Sequence, residues 1–110
     1  MAELKIDNLL GFYPDACSNG LGVTFVVYEN ATGDEDKWGI FFSHKGTGPK
    51  AHWSVPLRIS KETYAEVPTI ECTKLDDGHE RLLVSYQFGN PDKTIRVKES
   101  LDGGKTWTNV

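Results

Sequence analysis

The chain has 110 residues, of which 38% are hydrophobic and 25% charged, the balance expected of one soluble globular domain. Its formal net charge of −4 argues against nucleic acid or an anionic membrane surface as the main partner, and no apolar run approaches the roughly 20 residues of a membrane-spanning helix. Glu3, Lys5 and Asp7 interrupt the amino end where a signal peptide would need an apolar stretch, so none is visible and the cellular compartment stays unassigned.

In chain order the pattern predicts strands and no helix of useful length. An outer strand covers residues 4–7, with clean two-residue alternation. An inner strand follows Pro14 over 15–18, then a second over 23–29 and a third over 38–43. The same succession returns over 57–60, 69–73 after Pro68, 81–88 and 94–99. The second strands are rich in Val, Leu, Tyr and Phe, as strands are. In the last strand Ile95 and Val97 point one way, Arg96 and Lys98 the other. Asn19-Gly20, Asp76-Asp77-Gly78 and Asn90-Pro91-Asp92 punctuate the runs as turns. Residues 61–67 carry no apolar face at helical spacing.

The two successions line up as an internal repeat. Leu4-Lys5-Ile6-Asp7 matches Leu57-Arg58-Ile59-Ser60, and Pro14 matches Pro68. Val26-Val27-Tyr28-Glu29 matches Val84-Ser85-Tyr86-Gln87, Ser43 matches Ser100, and Trp53 matches Trp107. The chain therefore divides into residues 1–56 and 57–110. Aligning Cys17 with Cys72 needs an insertion close to a strand. Two cysteines make no disulfide framework. As equivalents on different sheets they need not be close, and they read as buried free thiols.

Ser100-Leu101-Asp102-Gly103-Gly104-Lys105-Thr106-Trp107 is the most specific motif. An Asp in a tight turn accepts hydrogen bonds from nearby amides, a Ser does so more weakly, and the glycines permit positive φ where the chain reverses. Trp107 then re-enters the next strand and packs under the turn. In the first copy the motif decays to Ser43-His44-Lys45-Gly46-Thr47-Gly48, with Lys45 in place of the Asp. Ser100, Asp102, Gly104 and Trp107 resemble an Asp-box (BNR repeat), the hairpin motif of sialidase-like β-propellers.

That resemblance implies an all-β fold of two four-stranded antiparallel propeller blades. Two blades cannot close a ring, and the second copy lacks its own outer strand, since only Thr108-Asn109-Val110 follow Trp107. The expectation is that residues 4–7 are donated to another copy, head to tail. A six-bladed trimer is favoured over four- or eight-bladed rings, unless the chain is a piece of a longer propeller. In the family the Asp-boxes lie opposite the active site, so Ser100, Asp102, Gly104 and Trp107 are structural. The family also places an arginine just before the Ile-Pro of its first blade. Here Phe12-Tyr13-Pro14 and Glu66-Val67-Pro68 stand at those positions, and Arg58, Arg81 and Arg96 lie elsewhere. A carboxylate clamp needs guanidinium forks, so sialidase activity is not implied.

The functional face is expected from residues 8–13, 30–37, 61–66 and 89–93. They offer Phe12, Tyr13, Tyr64 and Trp38 with Glu62, Glu66 and Asn90, besides Asp34, Glu35, Asp36 and Asp92. Aromatic faces beside acidic or amide groups suit sugars, whose C–H faces stack and whose hydroxyls pair. Trp38 and Phe88 stand at strand ends and fit the inter-blade core better than a ligand, so Tyr13 and Tyr64 lead the candidates. No cofactor or metal is expected. Gly33-Asp34-Glu35-Asp36 lacks the spacing of a calcium loop and reads as a solvated turn, and His44, His52 and His79 are isolated. Ser18 and Ser85 have no His and Asp partners for nucleophilic catalysis. Glu62 and Glu66 share a loop and form the one carboxylate pair open to glycoside hydrolysis. The reading is a non-enzymatic, lectin-like module for a glycan or small sugar. The alternatives are a relic of a sialidase-like hydrolase and a structural or protein-binding propeller.

Overall fold

The computed structural model describes the backbone of residues 4–6, 9–30 and 38–110, and side chains within these from Gly11 onward. The loop acids Asp34, Glu35 and Asp36, and residues 7 and 8, lie outside the described residues. Nine strands are described and no helix: β1 (Leu4–Ile6), β2 (Leu9–Ser18), β3 (Thr24–Asn30), β4 (Gly39–Lys45), β5 (Leu57–Arg58), β6 (Glu66–Lys74), β7 (Glu80–Phe88), β8 (Thr94–Ser100) and β9 (Thr108–Asn109). They form two antiparallel sheets, one in the order β1-β2-β3-β4-β5 and one in the order β6-β7-β8-β9. Among the described residues no helix is long and apolar enough to cross a membrane.

Matching registers superpose the copies. Phe12 pairs with Glu29 and Asp15 with Val27 across a bulge; Glu66 pairs with Gln87 and Thr69 with Ser85 across the same kind of bulge. Val27 therefore corresponds to Ser85. Yet Val27 is buried in the layer between the sheets, whereas Ser85 lies on the far face of the second sheet beside Thr69, Leu83 and Val97. The sheets thus stack front to back. Phe25, Val27, Ile40 and Phe42 of the first pack on Ile70, Leu82, Val84 and Tyr86 of the second, with Ile59 and Ala65 of the connecting segment.

The burial patterns follow. β7 alternates because one face is covered, whereas Phe25 to Glu29 of β3 are buried in an unbroken run because both faces are. The second cover comes from Trp53 and Phe41, which pack on Val26 and Tyr28. Ser43 Oγ donates to the Ser54 carbonyl at 2.7 Å and the Ser54 amide donates to the His44 carbonyl at 2.8 Å, holding this segment down.

Several expectations are corrected. β1 pairs with β2 of its own sheet, Leu4 opposite Gly11. The second sheet does not lack an outer strand: β9 pairs Thr108 with Glu99 and Asn109 with Lys98, and the Val110 amide donates to Val97 O. β5 pairs with β4 at the edge of the first sheet, Leu57 opposite Phe42. Ser43 corresponds to Lys98, not Ser100, because Val26 pairs with Ser43 as Val84 pairs with Lys98. Trp53 packs on Val26 and Trp107 on the layer that holds Val84, the register equivalent of Val26, so the matched tryptophans do lie on equivalent faces of their own sheets.

The cysteines are not free thiols. Cys17 and Cys72 form a disulfide joining β2 to β6, with Cα atoms 5.9 Å apart. By register Cys17 corresponds to Glu71 and Cys72 to Ser18. In a strand a one-residue slip turns a side chain to the other face. Front-to-back stacking brings opposite faces of equivalent strands together, so only cysteines out of register by one can meet.

Candidate functional site

The links between β2 and β6 run in the same order along both strands, Asp15 to Ile70 and Cys17 to Cys72, so the two sheets share a polarity. One end of the stack collects the starts of β2, β4, β6 and β8 and the ends of β3 and β7. Phe12, Tyr13, Trp38, Tyr64, Glu62, Glu66 and Asn90 all belong to this rim. The Ser100–Trp107 hairpin lies at the other end.

Tyr13 and Val67 occupy equivalent bulge positions, each before a proline, with φ of 50° and 52°. Positive φ is uncommon for any residue with a Cβ and an outlier for a β-branched one. The two bulges turn these side chains outward, Tyr13 46% and Val67 42% exposed. The Val67 amide is held across the sheets by Glu29 Oε1 at 3.1 Å. Tyr64, at φ 56°, and Phe12 are half-buried, and Asn90 is exposed.

The two candidate glutamates are engaged within the chain. Glu62 Oε1 accepts from the Tyr86 hydroxyl at 2.6 Å and Oε2 from Arg96 Nε at 2.9 Å. Burial pushes the Glu62 carboxyl up, but these bonds outweigh it and hold it below the usual range. Burial and Glu62 together raise the Tyr86 hydroxyl well above a free phenol. Lys98 is buried nearby and lowered, first by burial and then by Lys61 and Arg96, against the pull of Glu62. Glu66 takes Lys93 Nζ at 2.7 Å and Gln87 Nε2 at 3.1 Å. Glu62 and Glu66 are therefore each held by different partners within the chain.

Trp38 is half-buried with its indole nitrogen buried and unpartnered, and Phe88 packs on Tyr86 and under Arg96. Phe88 packs on the layer between the sheets.

Sequence reasoning missed Glu29. It is a buried carboxylate raised by burial and by Glu66, and opposed by the Val67 amide and Lys93. Its signal was present: an acid in an otherwise apolar run, matched to Gln87 in the repeat. Lys93 was missed as its neighbour. Among the described residues no group of three or more His, Cys, Asp or Glu is placed to hold a metal ion.

At the far end Asp102 Oδ1 accepts the Ser100 hydroxyl at 2.7 Å and the Thr106 amide at 2.9 Å, while Oδ2 accepts the Thr106 hydroxyl at 2.5 Å. The Gly104 amide donates to Ser100 Oγ at 2.8 Å, and Trp107 Nε1 donates to Gly104 O at 2.9 Å. The Thr106 hydroxyl and amide, with the Ser100 hydroxyl, hold the Asp102 carboxyl well below its ordinary value. A depressed folded-state value stabilises above the unfolded pKa and is lost as pH falls through the folded one. Asp102→Asn is therefore expected to melt below wild type at neutral pH and to converge with it in strong acid. Identical melting at neutral pH would remove Asp102 from the hairpin's stability.

The geometry defines an all-β protein of two front-to-back antiparallel sheets with an aromatic, polar rim at one end and a self-bonded hairpin at the other. Comparison with known proteins finds no matching family model, no matching curated protein and no matching solved structure.

Proposed function

We propose that this chain is a non-catalytic, carbohydrate-binding module whose sheets are two blades of the Asp-box propeller type. The observation that carries the reading is the rim: Tyr13 is held outward by a strained bulge, with Glu66, Lys93, Gln87 and Asn90 on the same end of the stack. An exposed ring with fixed amide and carboxylate partners stacks on a sugar face and pairs its hydroxyls. The Cys17–Cys72 bond fits work in an oxidising compartment. On a glycan array, Tyr13→Ala is expected to abolish binding and Tyr64→Ala to weaken it. Unchanged binding by both variants rejects this rim as the site.

Assembly into a ring, three copies giving six blades, would run through the open face of the second sheet, where Leu83 and Val97 line a shallow groove and Ile95 is 65% exposed. Asp15, Cys17 and Glu29, which clamp the first sheet onto β6, correspond there to Thr69, Glu71 and Gln87. Thr69 bonds Ser85 and Gln87 bonds Glu66, so neither reaches outward to another strand. A copy docked on this face thus meets apolar Leu83, Ile95 and Val97, with Glu71 the one of Thr69, Glu71 and Gln87 whose side chain is not bonded to its own sheet among the described residues. The expected result is a mass that rises above 12.3 kDa only at high concentration and is reset by Ile95→Lys. A monomer at every concentration ends the ring.

A further inference from the structure

At the end opposite the rim, the turns after β2 and β6 enclose a cleft of about 540 Å³ between the sheets, walled by Asn19, Leu21, Lys74, His79 and Glu80. Its volume falls in the roughly 300–1,000 Å³ range of small-molecule sites. Cys72, and not Cys17, forms part of its wall, and both cysteines are only half-buried. Asn19 Nδ2 donates to Glu80 Oε1 at 3.1 Å, fixing that carboxylate at the wall, while the Lys74 side chain is exposed. The cleft is therefore lined by one half of a disulfide together with one cation and one anion.

We infer that this cleft is a thiol-modification site, taking a small peptide-like thiol whose carboxylate meets Lys74 and whose ammonium meets Glu80. In the reaction the incoming thiolate attacks Cys72 Sγ. The Cys17–Cys72 bond breaks, Cys17 leaves as the thiolate and takes a proton, and Cys72 carries the mixed disulfide; no further oxidant or reductant is needed. Cys17 can expel the added thiol by the reverse attack, so the modification is reversible. The sheets stay joined by the packed layer of Phe25, Val27, Leu82 and Val84 and by the Asp15–Ile70 and Glu29–Val67 bonds. The reaction thus proceeds on the folded chain, independently of any sugar bound at the rim.

Reduced glutathione is the probe, added to the folded, oxidised chain without denaturant and followed by intact mass and peptide mapping. One adduct on Cys72 is expected, with Cys17 becoming open to alkylation. The rate relative to 2-mercaptoethanol should exceed the same ratio on the denatured chain by about four-fold, as two exposed ion pairs worth roughly two-fold each would give. Lys74→Gln with Glu80→Gln should return that ratio to the denatured value, and the amide oxygen that Glu80→Gln introduces keeps an acceptor for Asn19. Adduct on Cys17, reaction only in denaturant, or equal ratios in folded and denatured chains would each overturn the assignment.

Discussion

Gly104→Ala is expected to cost roughly 3 kcal/mol, combining about 1–2 kcal/mol for an L-residue at positive φ with about 1–3 kcal/mol for forcing atoms into a filled layer. Gly104 has φ 96°, and a Cβ there would run into the Phe42 ring of the other sheet. Trp107 already stands edge-on to that ring, with centroids 5.2 Å apart. The hairpin is thus a buttress between the sheets as well as a turn within one. Gly103→Ala is the matched control: φ is 75°, but nothing lies within 4 Å of its Cβ, so only the backbone strain of about 1 kcal/mol applies. Chemical denaturation of both variants separates the two effects. Adding Phe42→Leu to Gly104→Ala should recover part of the loss, because the shared contact makes the pair non-additive. Equal losses for Gly103→Ala and Gly104→Ala would mean that the hairpin does not bear on Phe42.

Cys17→Ser with Cys72→Ser is expected to lower stability by about 2–4 kcal/mol, since the bond closes a loop across a sequence separation of 55 and restricts the unfolded chain. That is a large share of the roughly 5–15 kcal/mol that holds such a domain together. The variant should still melt in one transition, because the packed layer and the two carboxylate-to-amide bonds across β6 remain. Wild type under a strong reductant should reach the same midpoint. A midpoint unchanged by both treatments would show that the bond adds nothing that the packed layer does not already supply.

Much of this architecture was written in local pattern. The alternation of Ile95, Arg96, Val97 and Lys98 and the Asp-Gly turns placed β3, β4, β7 and β8 within a few residues, because period and turn chemistry act over a few neighbours; β2 instead begins at Leu9 and runs through Pro14, so the expected loop over 9–13 is strand. The Ser100–Trp107 hairpin was legible for the same reason: its hydrogen bonds close within seven residues. So was the gathering of Tyr13, Glu66 and Asn90 at one end, which follows from strand direction alone.

The pairing of sheets was not legible, because it depends on which face of each strand meets which. Ser43 and Ser100 look equivalent along the chain, yet the register matches Ser43 to Lys98. Cys17 and Cys72 are out of register by one residue, which turns them to opposite faces of their own sheets, so they meet across the stack. Glu62 and Glu66 read as free loop acids, yet Tyr86, Arg96, Lys93 and Gln87 reach them from other strands. The amino acids by themselves determined an all-β chain of two repeated strand sets with a self-bonded turn. Only tertiary structure decided which faces touch, where β1 pairs and which carboxylates are spent on the fold, since strand periodicity records alternation but not the partner beyond the sheet.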